Sequence, residues 1–201
     1  ETACTQALWQ AVMDNNPSRF EGADLPVERV SWEDCRTFIA KLNDTIPGLE
    51  PCLPTEAQWE YACRAGTATP FYFGDAITTD QANFNGHYPY NDGPKGEYRE
   101  KTVPVKTFPC NAWGVYEMHG NVWEWCVDWY GPYPKENGVD PIGPNDGEYR
   151  VLRGGSWIGH GRLVRSAGRR RYAPYSRYDG YGLRLARGQT RPAGQASGGA
   201  G

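Results

Sequence analysis

The chain is poor in the residues that most often hold metals or move protons. It carries three His and two Met in 201 residues, and none of its six Cys falls in a CxxC pair. That absence argues against a zinc site. No apolar run reaches about eighteen residues, so no segment is expected to span a membrane as a helix. Heptads are missing, which excludes a coiled coil. The chain opens on Glu1 without Met or an apolar leader, and its compartment is left open. No internal repeat is present.

What is abundant is Gly, Pro and aromatic residues. With 25 Gly and 16 Pro, about a fifth of the chain favours turns. Eight Trp and 13 Tyr exclude disorder. The length suits one domain, here placed at residues 1–187, with a flexible tail or linker over 188–201. Cys35 and Cys63 sit in helix-like stretches, where a thiol behaves as a small buried hydrophobe. Most of the cysteines are expected to be free thiols, although their even count leaves disulfides open.

Charge is split along the chain. Residues 1–149 hold 10 Lys+Arg and 23 Asp+Glu, while 150–201 hold 11 Arg and the single acid Asp179. The two parts carry −13 and +10, which sum to the net −3. A basic, Tyr-rich segment is one way to bind nucleic acid. The favoured alternative is that these arginines fold back to pair with the acidic half.

Periodicity predicts a short helix over 5–13. Ser31 with Asp34 resembles a capping box opening a helix over 32–44, whose apolar face is Cys35, Phe38, Ile39 and Leu42. Thr55 caps a further helix, ended by Gly66, with Trp59, Ala62 and Cys63 as its buried stripe. Residues 17–30 read as a loop ending in a strand. Strands are also expected at 149–157, running into a Gly-Gly turn, and at 182–187, which alternates. Residues 67–112 and 158–181 read as irregular, and long loops of this kind are usually functional or metal-held. The pattern is α+β: after the short first helix two helices early, a small antiparallel sheet and long irregular loops.

Four motifs in order, LPTEAQWEYACRAG, AWGVYEMHGNVWEWCVDWYG, RVLRGGSW and GLRLAR, resemble the sulfatase-modifying-factor family, whose members look like the formylglycine-generating enzyme. The resemblance covers roughly residues 1–187 and implies a variant of the C-type lectin fold. It does not by itself imply the activity. The formylglycine-generating enzyme has a copper-binding cysteine pair shortly after GGS(W/Y). Here the first position aligns with Gly159 and the second falls near Leu163 or Val164, and no Cys follows Cys126. Soft thiolates select copper(I), so neither copper nor oxidase chemistry is expected. Related non-haem iron enzymes need a histidine cluster, whereas His87, His119 and His160 are far apart in the sequence.

Residues 158–181 contain Tyr172, Tyr175, Tyr178 and Tyr181 among Gly, Ser, Ala and Arg, a paratope-like composition. The segment lacks Lys, Glu, Gln, Met and Trp. Codons ending in a fixed pyrimidine encode none of those five. Palette and position resemble the variable region of retroelement-diversified proteins that use this lectin-like fold. The resemblance implies display by Ile158, Gly159, His160, Arg162, Tyr172, Tyr175, Tyr178, Asp179 and Tyr181, with Trp157 beneath. Arg153, Arg165, Arg184 and Arg177 are then framework residues that bridge loops and sheet.

The family resemblance also implies structural Ca²⁺. Glu117 and Glu124 would supply carboxylates, and Gly120 and Val122 carbonyls. The alternative is that the two acids pair with framework arginines. A second position would use Asn83, the Phe84 carbonyl and Glu97. The resulting expectation is a non-catalytic binding protein whose partner is a protein or other macromolecule. A formylglycine-generating-type or related oxidoreductase and a nucleic-acid binder are the alternatives.

Overall fold

The computed structural model describes residues 1–133 and 140–188. The expected tail, beyond Gly188, lies outside them. Three helices are present among these residues: α1 (Gln6–Met13), α2 (Trp32–Thr45) and α3 (Glu56–Arg64). Each is started by a hydroxyl that accepts the backbone N–H three residues on: Thr5, Ser31 and Thr55. Ser31 with Asp34 and Thr55 with Gln58 form full capping boxes, which satisfy end groups that would otherwise lack a partner. Trp9 of α1 stacks on Phe38 of α2 at 4.9 Å, which docks the two helices.

The strands are short. β1 (Pro51–Cys52) pairs antiparallel with β6 (Ala186–Arg187). A four-stranded sheet has the order β4-β3-β2-β5, with β2 Trp123–Trp129, β3 Arg150–Arg153, β4 Arg169–Tyr172 and β5 Tyr181–Gly182. The sheet is mixed rather than antiparallel, because β5 runs parallel to β2. The strand expected over 182–187 is split. Between its two pieces the Leu183 carbonyl accepts the Cys4 N–H at 2.9 Å, and Arg184 turns into the core. No strand forms before Val30, where one isolated bridge joins Thr5 and Pro26. Within 158–181, read as irregular, the structure contains β4 and a 3-10 turn at Gly161–Leu163.

The main core gathers Trp9, Phe38, Trp125, Leu152 and Leu183 between α1, α2 and the sheet. Buried indoles keep their N–H groups bonded: Trp125 to the Val30 carbonyl and Trp32 to the Cys126 carbonyl, both at 3.0 Å. The long 67–112 region has a core of its own, in which Phe71, Ile77 and Phe84 close on Val164 from the C-terminal part. The Gly154-Gly155 turn requires glycine. Both residues have positive φ, and a Cβ on Gly155 would lie 2.4 Å from Val164 Cγ1.

Candidate ligand-binding surface

The basic C-terminal part folds back on the acidic part. Buried Arg153 pairs with Glu56 and Glu60 and donates to the carbonyls of Ser166 and Gly168. Arg169 grips Glu56 through two bonds, 2.6 and 2.7 Å. Arg184 donates to both oxygens of Glu124, at 2.9 and 3.0 Å. Arg177 forks onto Asp34 at 2.6 and 2.7 Å. Burial disfavours the Asp34 charge, but the bonds from Arg177 and Ser31 outweigh it and hold its pKa below the usual value. Arg165 donates from Nε to the nearby Arg162 carbonyl and lies over the ring of Tyr90 in the 67–112 region, 5.8 Å from its centroid.

This frame supports an aromatic face. Trp157 is only 5% exposed, and its Nε1 donates to the Asp179 carbonyl at 2.8 Å. It stacks on Tyr98 and meets the edge of Phe20. After Trp157 in the chain, Ile158, His160 and Arg162 are exposed. Tyr175 and Tyr178 are 67% and 52% exposed, and Tyr172 is half-buried. Two expected display positions are buried instead. Gly159 donates its N–H to the Ser156 carbonyl inside a tight turn. Tyr181, 5% exposed, is a core residue under Tyr172 and Tyr178, with ring centroids 5.1 and 5.0 Å away. Burial and a hydrogen bond to Tyr172 push its phenol pKa up. Asp179 is half-buried and ion-paired with Arg19 at 2.6 Å.

Several surface residues were not singled out from the sequence. Tyr88 is exposed and stacks on His160 at 4.2 Å. His87 meets Tyr98, and Arg19 and Arg29 stand beside Tyr178. The available signal was the aromatic content of NFNGHYPY within a long loop, but nothing local says that it folds against residue 160.

The calcium residues are placed as follows. Glu124 Oε2 accepts from Trp59 Nε1 at 2.6 Å and from Arg184, which also holds Oε1. The same guanidinium donates to the Glu1 and Tyr116 carbonyls. Arg184 therefore pairs both oxygens of Glu124, and as arranged that carboxylate does not fit a calcium ligand. The alternative weighed for Glu124, an arginine partner, is the one observed. Glu117 accepts from the Phe108 N–H and leaves Oε2 buried without a partner. Burial raises its pKa against those backbone bonds. The Gly120 N–H bonds the Gly154 carbonyl, and Val122 is buried. At the second position Asn83 Oδ1 is buried and unpartnered, Phe84 is core, and Glu97 is exposed and paired with Arg99.

Of the positions that the resemblance compares with a cysteine pair, Gly159 and Val164 are neighbours in space. A Cβ built on Gly159 would lie 3.8 Å from Val164 Cγ1. Neither residue carries sulfur. The remaining thiol nearby, Cys63, is buried, and desolvation pushes its pKa up to about 12. His119 beside it is also enclosed. One ring nitrogen bonds the Val164 carbonyl at 2.8 Å, and the other accepts the Tyr72 N–H at 3.2 Å. Both nitrogens are committed to backbone groups, so the cluster is structural.

Residues 2–189 match the sulfatase-modifying factor enzyme 1-like domain. The chain belongs to this family. It is 37% identical over 183 residues to the formylglycine-generating enzyme of Streptomyces coelicolor, covering 86% of this chain and 55% of that protein. It is 31% identical to a Bos taurus protein named inactive C-alpha-formylglycine-generating enzyme 2, over 94% of this chain and 59% of the relative. The chain thus spans little more than half the length of these curated relatives. Among solved structures, Treponema denticola variable protein 1 superposes with a TM-score of 0.76 at 31% identity, covering 92% of this chain and 81% of that one. The fold is the α+β, C-type lectin-like variant of the sulfatase-modifying-factor family.

Proposed function

We propose that this member of the family is a non-catalytic binding protein, and that residues 158–181 form a retroelement-diversified surface presented to a protein or other macromolecular ligand. The observation that carries this reading is the layering of the C-terminal segment. Exposed Ile158 follows buried Trp157, exposed Tyr178 packs on buried Tyr181, and His160 and Tyr175 are exposed as well, on a segment held by long-range ion pairs. Rigid aromatic groups on a fixed base give contact area at low conformational cost. The likeness to Treponema denticola variable protein 1 supports the same reading.

The kinship with formylglycine-generating enzymes favours an oxidase as the second reading. Against it stand Gly159 and the Leu163-Val164 pair, which offer no thiolate for copper(I). Incubation with a cysteine-containing peptide, oxygen and copper should give no aldehyde product, and turnover would restore the oxidase. On the display reading, replacing Tyr175 and Tyr178 together with Ala abolishes ligand binding while the unfolding midpoint hardly moves. The gene should lie near a reverse transcriptase and a near-copy of the 158–181 coding region that differs at adenines. A locus with neither counts against diversification.

A further inference from the structure

The exposed tyrosines mark where a ligand lands, and the charges around Tyr178 bear on its kind. Beside that ring is a hollow of about 430 Å³ lined by Arg19, Arg29, Arg177, Tyr178 and Asp179. Two of its guanidiniums are partnered within the protein, Arg19 by Asp179 and Arg177 by Asp34. Arg29 is exposed and makes no ion pair among the described residues. Arg29 is thus the one guanidinium of this lining that no ion pair holds, with the buried Glu28 carboxyl as its nearby acid.

The walls are fixed. Arg29 is held in the left-handed region, φ 59, and its N–H bonds the Tyr178 carbonyl at 3.1 Å. Such a conformation is unfavourable for a side-chain-bearing residue and is typically kept where the surroundings impose it. Its neighbour Glu28 is fully buried, and Glu28 Oε1 accepts the backbone N–H groups of Arg19 and Phe20. That carboxyl ties the two arginine-bearing turns together. Burial raises its pKa in spite of those bonds and the nearby Arg29 charge. On the opposite wall the Trp157 indole holds the Asp179 carbonyl.

We infer that this hollow is the specificity pocket of the display face and takes a carboxylate-bearing side chain or chain terminus of a partner protein. The inference rests on the display reading. A guanidinium binds a carboxylate through two parallel N–H···O bonds, and Tyr178 supplies a flat neighbouring contact. Arg19 and Arg29 lie outside residues 158–181, whereas Arg177, Tyr178 and Asp179 lie inside. A constant cation thus meets whatever the variable positions present. The flanking Asp34 and Asp179 oppose a phosphate backbone, which binds by neutralising many charges in a row.

The test pans the wild-type protein against random short peptides on phage and measures the selected peptides on three variants. Acidic peptides should lose at least about tenfold in affinity on Arg29→Glu. Arg29→Gly should lose them too while unfolding no earlier than the wild type, since glycine tolerates the left-handed backbone. Both results support the pocket. Selected peptides that lack Asp and Glu, or acidic ones indifferent to Arg29→Glu yet lost on Tyr175→Ala/Tyr178→Ala, overturn it and leave the display reading standing. Peptides indifferent to all three variants, or none selected, overturn both. Arg29-dependent competition by duplex DNA overturns the protein ligand.

Discussion

The ring of His119 is enclosed by Phe71, Tyr72 and Phe73 and bonded at both nitrogens. Desolvation dominates and lowers its pKa from 6.5 to about 4. Between these values the unfolded chain binds a proton that the folded one refuses, so stability falls as pH drops through this window. The full effect is about 3 kcal/mol. The buried carboxyls of Glu28, Glu117 and Asp128 have raised pKa values and act with the opposite sign. The clean measurement is therefore a difference: His119→Gln, which retains a donor and an acceptor, should lose less urea resistance than the wild type between pH 6.5 and 4.5. Equal losses would mean the ring is already charged or reached by water. Glu124→Gln leaves Arg184 buried without its counter-charge, and its unfolding free energy should fall by about 3–5 kcal/mol.

β5 and the turn before it separate Tyr181 from two tyrosines that the sequence spaces alike. Tyr181 lies in the sheet opposite Trp123 and meets Trp125 edge-on at 5.7 Å. Tyr181→Ala should cost about 3–5 kcal/mol, as for other buried aromatic rings. Tyr175 and Tyr178 lie in the loop between β4 and β5, and the double Ala variant should cost less than about 1 kcal/mol. Chemical denaturation of both variants checks the contrast. A large loss in the double variant would place those rings in the core and remove them from the display face.

Ion pairs that cross from one part of the chain to the other hold the molecule as a whole: Glu56–Arg169, Glu124–Arg184, Asp34–Arg177 and Arg19–Asp179. With Arg153 they take up four of the ten arginines described over 150–188, so the nucleic-acid reading that composition permits would rest on the other six. With Arg184 at the centre of the 117–124 turn, EGTA should leave the melting temperature unchanged to within about 1 °C, since only ligands of the native state raise it. A fall of several degrees would show a bound cation and point to the unpartnered oxygens of Asn83 and Glu117.

The sequence by itself determined the local and the chemical. The Ser31–Asp34 capping box, the Thr55 cap, the Gly-Gly turn and the missing thiols at 159 and at 163 or 164 are legible because each depends on residues a few positions apart or on side-chain identity alone. The motif order likewise indicated the family and its fold. Only the tertiary structure decided which tyrosines face solvent. A three-residue spacing in a segment that is part strand and part turn sets no common direction, and packing against Trp125 buries Tyr181. It also decided that Glu124 meets Arg184 rather than an open site, and that Tyr88, Arg19 and Arg29 join the face. Those contacts link residues 60 to 160 positions apart in the chain, and no local pattern encodes a pairing that the whole core must close to make.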